Sequence, residues 1–585
     1  MAHLHGLVGK GNALAVLGAG VYCRDAARHS STGREQFQAH RCYRPRPAGA
    51  IAAAAKIYPM PRKLETTRGV TEKSQSPIKT RGWPRWRVFV VACVLLSSLA
   101  VCWSIATPIS GAPDEPAHII KAAAVARGEL TGKPSSTGQI VHVPRYIAYT
   151  PALTCYAFHP QVLPTCSAAL KGDQWKTVTS TTSAGLYNPT YYALVGWPSL
   201  IFHDSSGVYA MRIVSGLISS LFLAVTLMMI WTWKRRWLSV LGFAAATTPM
   251  VFFLNGVVNP NSLETTATLA AFTAVLSIVR SPHPWLLTER AAIATVSAAV
   301  AVNTRGLSPL WVAIAVLAPF LLASWLETRV LAKKLEVKVA VTVIAIATVA
   351  AVAWIALSNS LAAGLTAPQT AVRGLGVGAS PLRGFKEIFV GTFDYGQGIV
   401  GEFGWLDTPA PTPVFFVWSA LIAALCVAGV VFLRGRSLVF ALTLIGGIVL
   451  LPPLTQAIYI TGGGIIWQGR YALPLFVCVV VGLAKLLAEQ MPELTGSAHR
   501  RLVGLVLTAW GLAQSYSFAV ALKRYAVGAS ATSWKKLLVD PTWSPPGGTI
   551  LVLSATAVAV VVTTIMLKHL ARDSATGTQP AGLKL

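Results

Sequence analysis

Two adjacent carboxylates, Asp114 and Glu115, stand in the segment GAPDEPAH, with His118 three residues further on. Gly111 and the flanking prolines keep them out of a regular helix. Such a pair can hold a divalent cation, magnesium or manganese, through oxygen ligands. Alternatively, one carboxylate can act as a general base with its pKa set by the other. A plainer reading makes Asp114 the N-cap of a helix that continues through HIIKAAAVARGEL, with Pro116 in its first turn. The two readings are compatible.

Other polar groups recur at matching positions. Asn255 and Asn259-Pro260-Asn261 precede an apolar run, a pattern most often read as a turn with an N-cap. Arg305, in VNTRGLSP, falls at a helix break; it could meet an anionic head group or simply snorkel to the interface. The run GGGIIWQGRYALPL places Gln468 and Arg470 at the start of another apolar stretch. Arginine suits phosphate, because its guanidinium forks and stays charged. GEFGWLD puts Glu402, Trp405 and Asp407 together. A flat indole beside carboxylates suits a sugar, although tryptophan at an interface is usually an anchor.

The elements that must position these groups are membrane spans. Hydrophobic residues make up 54% of the 585 positions and charged residues 12%, with a mean hydropathy of +0.57. Soluble chains carry roughly twice that charge fraction. Apolar stretches of about 20 residues recur, the length of helix that crosses a bilayer. Several are apolar on every face, which excludes the alternation of a β-barrel strand. We therefore expect an all-α integral membrane protein with about 12 transmembrane helices. They lie near 87–107, 208–233, 238–257, 262–279, 289–303, 308–326, 339–358, 414–433, 438–460, 468–488, 502–522 and 549–568. Two long loops, 108–204 and 359–413, separate them on one side.

The net charge of +28 does not point to nucleic acid. Residues 1–87 hold 16 Lys/Arg and 4 Asp/Glu, and much of the remainder sits in short loops. Lys234-Arg235-Arg236, Arg434/Arg436, Arg500/Arg501 and Lys568/Arg572 share one side, so both termini are expected in the cytoplasm, with the long loops outside. This gives a basic, disordered segment at 1–85, a membrane domain at 86–570 and a short tail at 571–585. The stretch MPRKLETTRG from Met60 has the layout of a start, and a start codon placed too far upstream would account for 1–59. N-terminal sequencing that found residues 1–59 would end that reading. Cys155 and Cys166, with ten residues between them in the first long loop, are either a disulfide or two free thiols.

PDEPAH after the first span, NPNS, GEFGWLDTPAP and WQGRYALPL occur in this order. The combination, over roughly 88–525, resembles the polytopic membrane proteins catalogued as domain of unknown function 2142. That family in turn resembles the GT-C glycosyltransferase superfamily, whose members use polyprenyl-phosphate-linked sugars outside the cytoplasmic membrane. The resemblance implies a GT-C-like fold with Asp114 as the catalytic acidic residue and Glu115 as its partner. It implies inverting transfer from a lipid-linked donor to a glycan or glycolipid acceptor of the cell envelope. In this reading His118, Arg305, Trp405, Asp407, Gln468 and Arg470 bind sugar or lipid phosphate. No large C-terminal soluble domain is legible, unlike many GT-C enzymes. Competing readings are a transporter or flippase of lipid-linked sugars, and a non-catalytic envelope-assembly protein. The absence of an internal repeat and the clustering of ionisable residues at one face favour the enzyme.

Overall fold

The computed structural model describes residues 83–361, 376–492, 494 and 496–572. Residues 1–82 and 573–585, and with them the expectations for 1–59, nearly all of the 1–85 segment and most of the tail, lie outside the described residues.

The apolar stretches form helices. The first, α1 (Arg85–Ala106), is followed by the shorter α2 (Glu115–Ala126), then by α3 (Ser206–Trp231). Next come α4 (Trp237–Ala246), α5 (Pro249–Asn255), α6 (Pro260–Arg280), α7 (Leu287–Val302) and α8 (Ser308–Leu317). After α9 (Leu335–Ser358) come α10 (Pro381–Val390) and α11 (Thr392–Val400). The chain continues through α12 (Thr412–Phe432), α13 (Arg436–Gly463) and α14 (Leu473–Gln490), and then α15 (Gly496–Val527) and α16 (Thr549–Arg572).

Among the described residues, ten helices are long and apolar enough to cross a bilayer, or eleven if α4 and α5 form one broken span. The chain is thus an all-α polytopic membrane protein. It departs from about 12 spans at two places. The stretch expected at 238–257 bends by 62° between α4 and α5. Pro249 brings no N–H to the break, and the Thr248 side chain accepts from the Val251 amide to start α5 afresh. The stretch expected at 308–326 stops being α-helical at Leu317, where Pro319 turns the chain into a 3-10 coil through Leu322. The short stretch expected at 289–303 is present as a span over Pro284–Val302.

The spans are unequal. The apolar windows of α14 and α6 are 94% and 89% buried, whereas those of α9 and α12 are 11% and 17% buried. The first pair therefore forms the centre and the second the lipid-facing rim. The long segment after α1 is folded rather than loose. Its sheet runs β1 (Lys133–Ser135), β2 (Gly138–Pro144), β3 (Thr177–Thr182), all antiparallel, with Gln139 opposite Thr182 and Pro144 opposite Thr177. Along β2, Val141 and Val143 are buried and His142 is exposed, the period-2 pattern of a half-covered sheet. Cys155 and Cys166 are joined as a disulfide in this segment. The second long segment carries α10, α11 and a hairpin of β4 (Glu402–Phe403) with β5 (Thr408–Pro409). Glycine at 384 lets α10 lie against α13, since a Cβ there would come within 2.9 Å of Ile460 and 3.1 Å of the Gln456 carbonyl.

Candidate functional site

The turn between α1 and α2 sets the site. Asp114 holds a left-handed backbone, φ 65°, which aspartate tolerates better than most side chains. It stands at the N-cap position of α2 with Pro116 in the first turn, as expected. Yet its carboxylate makes no capping hydrogen bond. Instead Arg470 Nη2 donates to Asp114 Oδ2 at 2.6 Å. Arg470 is 1% exposed, whereas half of the Asp114 side chain is open. Gly469 makes that approach feasible. A Cβ there would lie 1.9 Å from the Tyr395 carbonyl, so only glycine lets the turn before α14 pack on α11.

Asp114 and Arg470 border a cavity of about 300 Å³, together with His118, Tyr187, Arg305 and Trp467. Asn259, Glu264 and Tyr471 also face it. Arg305 enters from the break between α7 and α8. Its guanidinium donates to Asn261 Oδ1 and lies 4.6 Å over the Tyr471 ring. Glu264 orders this wall, accepting from Asn261 Nδ2 at 2.9 Å and from Ser308 Oγ at 2.6 Å. The NPNS and NTRGLS segments thus meet through one carboxylate.

Electrostatics separates the roles. Burial pushes the Asp114 pKa up, but Arg470, His118 and Arg305 outweigh it and hold the carboxyl below its usual value. His118 is pulled down to about 3, chiefly by burial, with the two arginines adding to the effect against Asp114. It is therefore a neutral ring at pH 7, hydrogen-bonded through Nδ1 to the Tyr192 hydroxyl at 2.9 Å. The cavity thus sets two guanidiniums, Arg305 and Arg470, against two carboxylates, Asp114 and Glu264.

Of the residues singled out in the sequence, Asp114, His118, Asn259, Arg305 and Arg470 come together at the cavity, whereas Glu115, Trp405, Asp407 and Gln468 stand elsewhere. Glu115 is fully buried and turned away. It accepts from Arg212 Nε and Nη2, both at 2.7 Å, and from the Val258 amide at 3.1 Å. With its oxygens so occupied and Asp114 facing Arg470, the two carboxylates do not fit the shared divalent-cation site expected of them. Among the described residues no group of three or more His, Cys, Asp or Glu side chains could hold a metal ion. Trp405 is outside the cavity because its indole N–H donates to the Ser110 carbonyl at 2.9 Å and its ring packs edge-on to Phe158. Asp407 is taken by Arg524 at 2.9 Å and by the Thr408 hydroxyl. Gln468 precedes the turn that carries Arg470 and does not line the cavity.

The residues missed are Glu264, Tyr187, Trp467 and Tyr471. Glu264 had a signal: a lone acid inside an apolar span is costly unless something inside the protein uses it. The aromatic residues had none, because nothing local separates them from interface anchors.

A second, apolar groove of about 590 Å³ lies beside the cavity. It is lined by Phe393, Tyr395, Phe416, Trp418, Pro452 and Phe476, and it shares Trp467 with the cavity.

No curated protein matches the chain. Residues 98–479 match the sequence model of a family described as Predicted membrane protein (DUF2142), and that stretch contains Asp114, Arg305, Arg470 and the groove. The chain belongs to this family of membrane proteins.

Proposed function

We propose that the protein is a membrane glycosyltransferase that takes a sugar from a polyprenyl-phosphate donor and transfers it, with inversion, to a cell-envelope glycan or glycolipid. The observation that carries the reading is the sharing of Trp467 between a polar cavity that two arginines enter and an apolar groove. An amphiphile with an anionic head and a hydrocarbon tail matches that pair of spaces. A charged cavity inside an apolar bundle is itself a functional signal. In this reading both termini are cytoplasmic, which the basic short loops favour, and the cavity opens on the outer face of the cytoplasmic membrane.

In this mechanism the donor phosphate draws the Arg470 guanidinium away from Asp114, with Arg305 as the second cation. Freed of its ion pair, the Asp114 carboxylate becomes a better base and takes the proton of the acceptor hydroxyl. The acceptor oxygen bonds to the anomeric carbon as the bond from that carbon to the phosphate oxygen breaks. The transition state is oxocarbenium-like, as in glycoside hydrolysis. The bonding pair leaves with the phosphate, a weak base that needs no general acid, and the arginines stabilise its charge. Trp467 and the tyrosines offer flat faces for the sugar.

The test is transfer from polyprenyl-phosphate sugars by the purified protein, compared with Asp114→Asn. Full activity in the variant removes Asp114 as the base. Lipid translocation without transfer replaces the enzyme with a flippase or transporter, and an envelope-assembly role follows if the donor neither binds nor reacts.

A further inference from the structure

The short helix α10 presents three different faces. Gly384 and Ile388, four residues apart, are buried on the side that meets α13. Arg383 and Glu387, also four apart, are exposed. The third face carries Leu382, Phe385 and Phe389, at the spacing of a single helical stripe. Leu382 is 75% exposed, and the rings of Phe385 and Phe389 stack with their centres 5.6 Å apart. Phe393, at the start of α11, is 89% exposed. Large apolar side chains grouped in this way on a surface mark a contact with lipid or with another protein.

The attachment to α13 selects lipid. α13 has 28 residues. At 1.5 Å each it spans about 42 Å, against about 30 Å for the hydrocarbon core, so its last turns reach headgroup depth. Those turns hold α10. The Gly378 N–H donates to the Thr461 carbonyl at 2.9 Å, and the Thr461 hydroxyl donates to the Ala379 carbonyl at 3.1 Å. Gly384 is seated on Gln456 and Ile460 of the same turns. Thr455 and Tyr459 beside them border the cavity, so α10 lies at the cavity's end of the spans. Phe393 also borders the apolar groove, as does the exposed Phe416 of α12, a span of the lipid-facing rim. The uncovered stripe of α10 therefore continues, through Phe393, into surface that the spans already offer to lipid.

We propose that α10 is an interfacial helix, lying in the membrane surface on the cavity's side with Leu382, Phe385 and Phe389 among the first acyl carbons. Lys386 flanks the stripe with a stem long enough to reach headgroup phosphates, and Arg383 and Glu387 face water. The groove then opens onto lipid, and an amphiphile passes from leaflet to groove without crossing water. This holds for any amphiphile and does not rest on the glycosyltransferase reading.

The test uses the full chain in phosphatidylcholine nanodiscs, with photoreactive benzoylphenylalanine in place of Phe389, Glu387 or Ile346. Ile346 is exposed midway along the rim span α9 and serves as the lipid-facing reference. After irradiation, adducts are identified by mass spectrometry. All three side chains are uncovered or partly so, and Phe389 is replaced by a larger aromatic of its own kind, so the fold is kept. Phe389 should give lipid adduct as readily as Ile346 and about tenfold more than Glu387, a factor that the burial of one large apolar side chain supplies. Equal yields at Phe389 and Glu387 overturn the proposal, as does lipid adduct at Ile346 with none at Phe389. A Phe389 crosslink to a second copy makes this face a contact between chains, and one within the same chain makes it a covered face. Either result also overturns it.

Discussion

Asp114 and Glu115 are neighbours in the chain and opposites in the fold. Each meets one arginine, but the Arg212–Glu115 pair is closed to solvent on both sides, while Asp114 stays half open beside Arg470. Arg212 further donates to the carbonyls of Ser104, Thr107 and Pro108, so it binds the end of α1 to the start of α2. One ion pair is a joint and the other faces a cavity. An acidic pair in a sequence therefore need not act as a pair. A sealed carboxylate fixes the backbone that presents its neighbour.

The strongest challenge to this contrast is Glu115→Gln. It leaves the Arg212 guanidinium buried without its counter-ion and should cost about 3–5 kcal/mol in stability, measured as the unfolding midpoint in detergent. Joint replacement by Arg212→Met and Glu115→Leu should cost less than either single change. A single variant with native stability would show that the pair is not a joint.

Asp114→Asn should behave in the opposite way. Arg470 loses its counter-ion, but the pair is half open on the Asp114 side, so the cost in stability should be smaller than that of Glu115→Gln. Transfer should fall by about 10²–10⁴-fold. Arg470→Lys keeps the charge and loses the fork, and a drop of about tenfold in kcat/KM is expected.

His118→Gln should have the smallest effect, below about threefold in rate. The pH profiles sharpen the same point. With His118 held near 3, no inflection is expected around 6.5. Asp114 has a lowered pKa in the free protein, so its base form persists as pH falls and is lost only below the ordinary carboxylate range. The acid limb of kcat/KM should lie there, and that of kcat should lie higher once phosphate has drawn Arg470 away.

The spans were legible because a 20-residue apolar stretch has a physical meaning independent of its neighbours. The break at Thr247-Thr248-Pro249 was visible as a proline, but its 62° bend depends on packing that includes Thr248 donating to the Ile399 carbonyl. In the site, Asp114, Arg305 and Arg470 stood out because ionisable groups at span ends are few. The partner of Glu115 lies 97 residues away in α3, and no local pattern pairs them. Trp405 misled for a related reason. Its residue type fits a sugar, but its position is set by a hydrogen bond to Ser110, 295 residues distant.

Arg524 lies beyond the stretch shared with the family, yet it closes the segment that stretch depends on. It donates to the carbonyls of Tyr156, His159 and Val162 around the disulfide loop and holds Asp407, while Tyr525 donates to the Gly111 carbonyl beside the PDEP turn. The unit that evolution marks by resemblance is thus smaller than the unit that holds its shape. A fragment cut at residue 479 for crystallography or directed evolution would keep the recognisable motifs and lose the clasp that aligns them. Expression boundaries for relatives should be drawn past the residue equivalent to Tyr525, whatever the alignment shows.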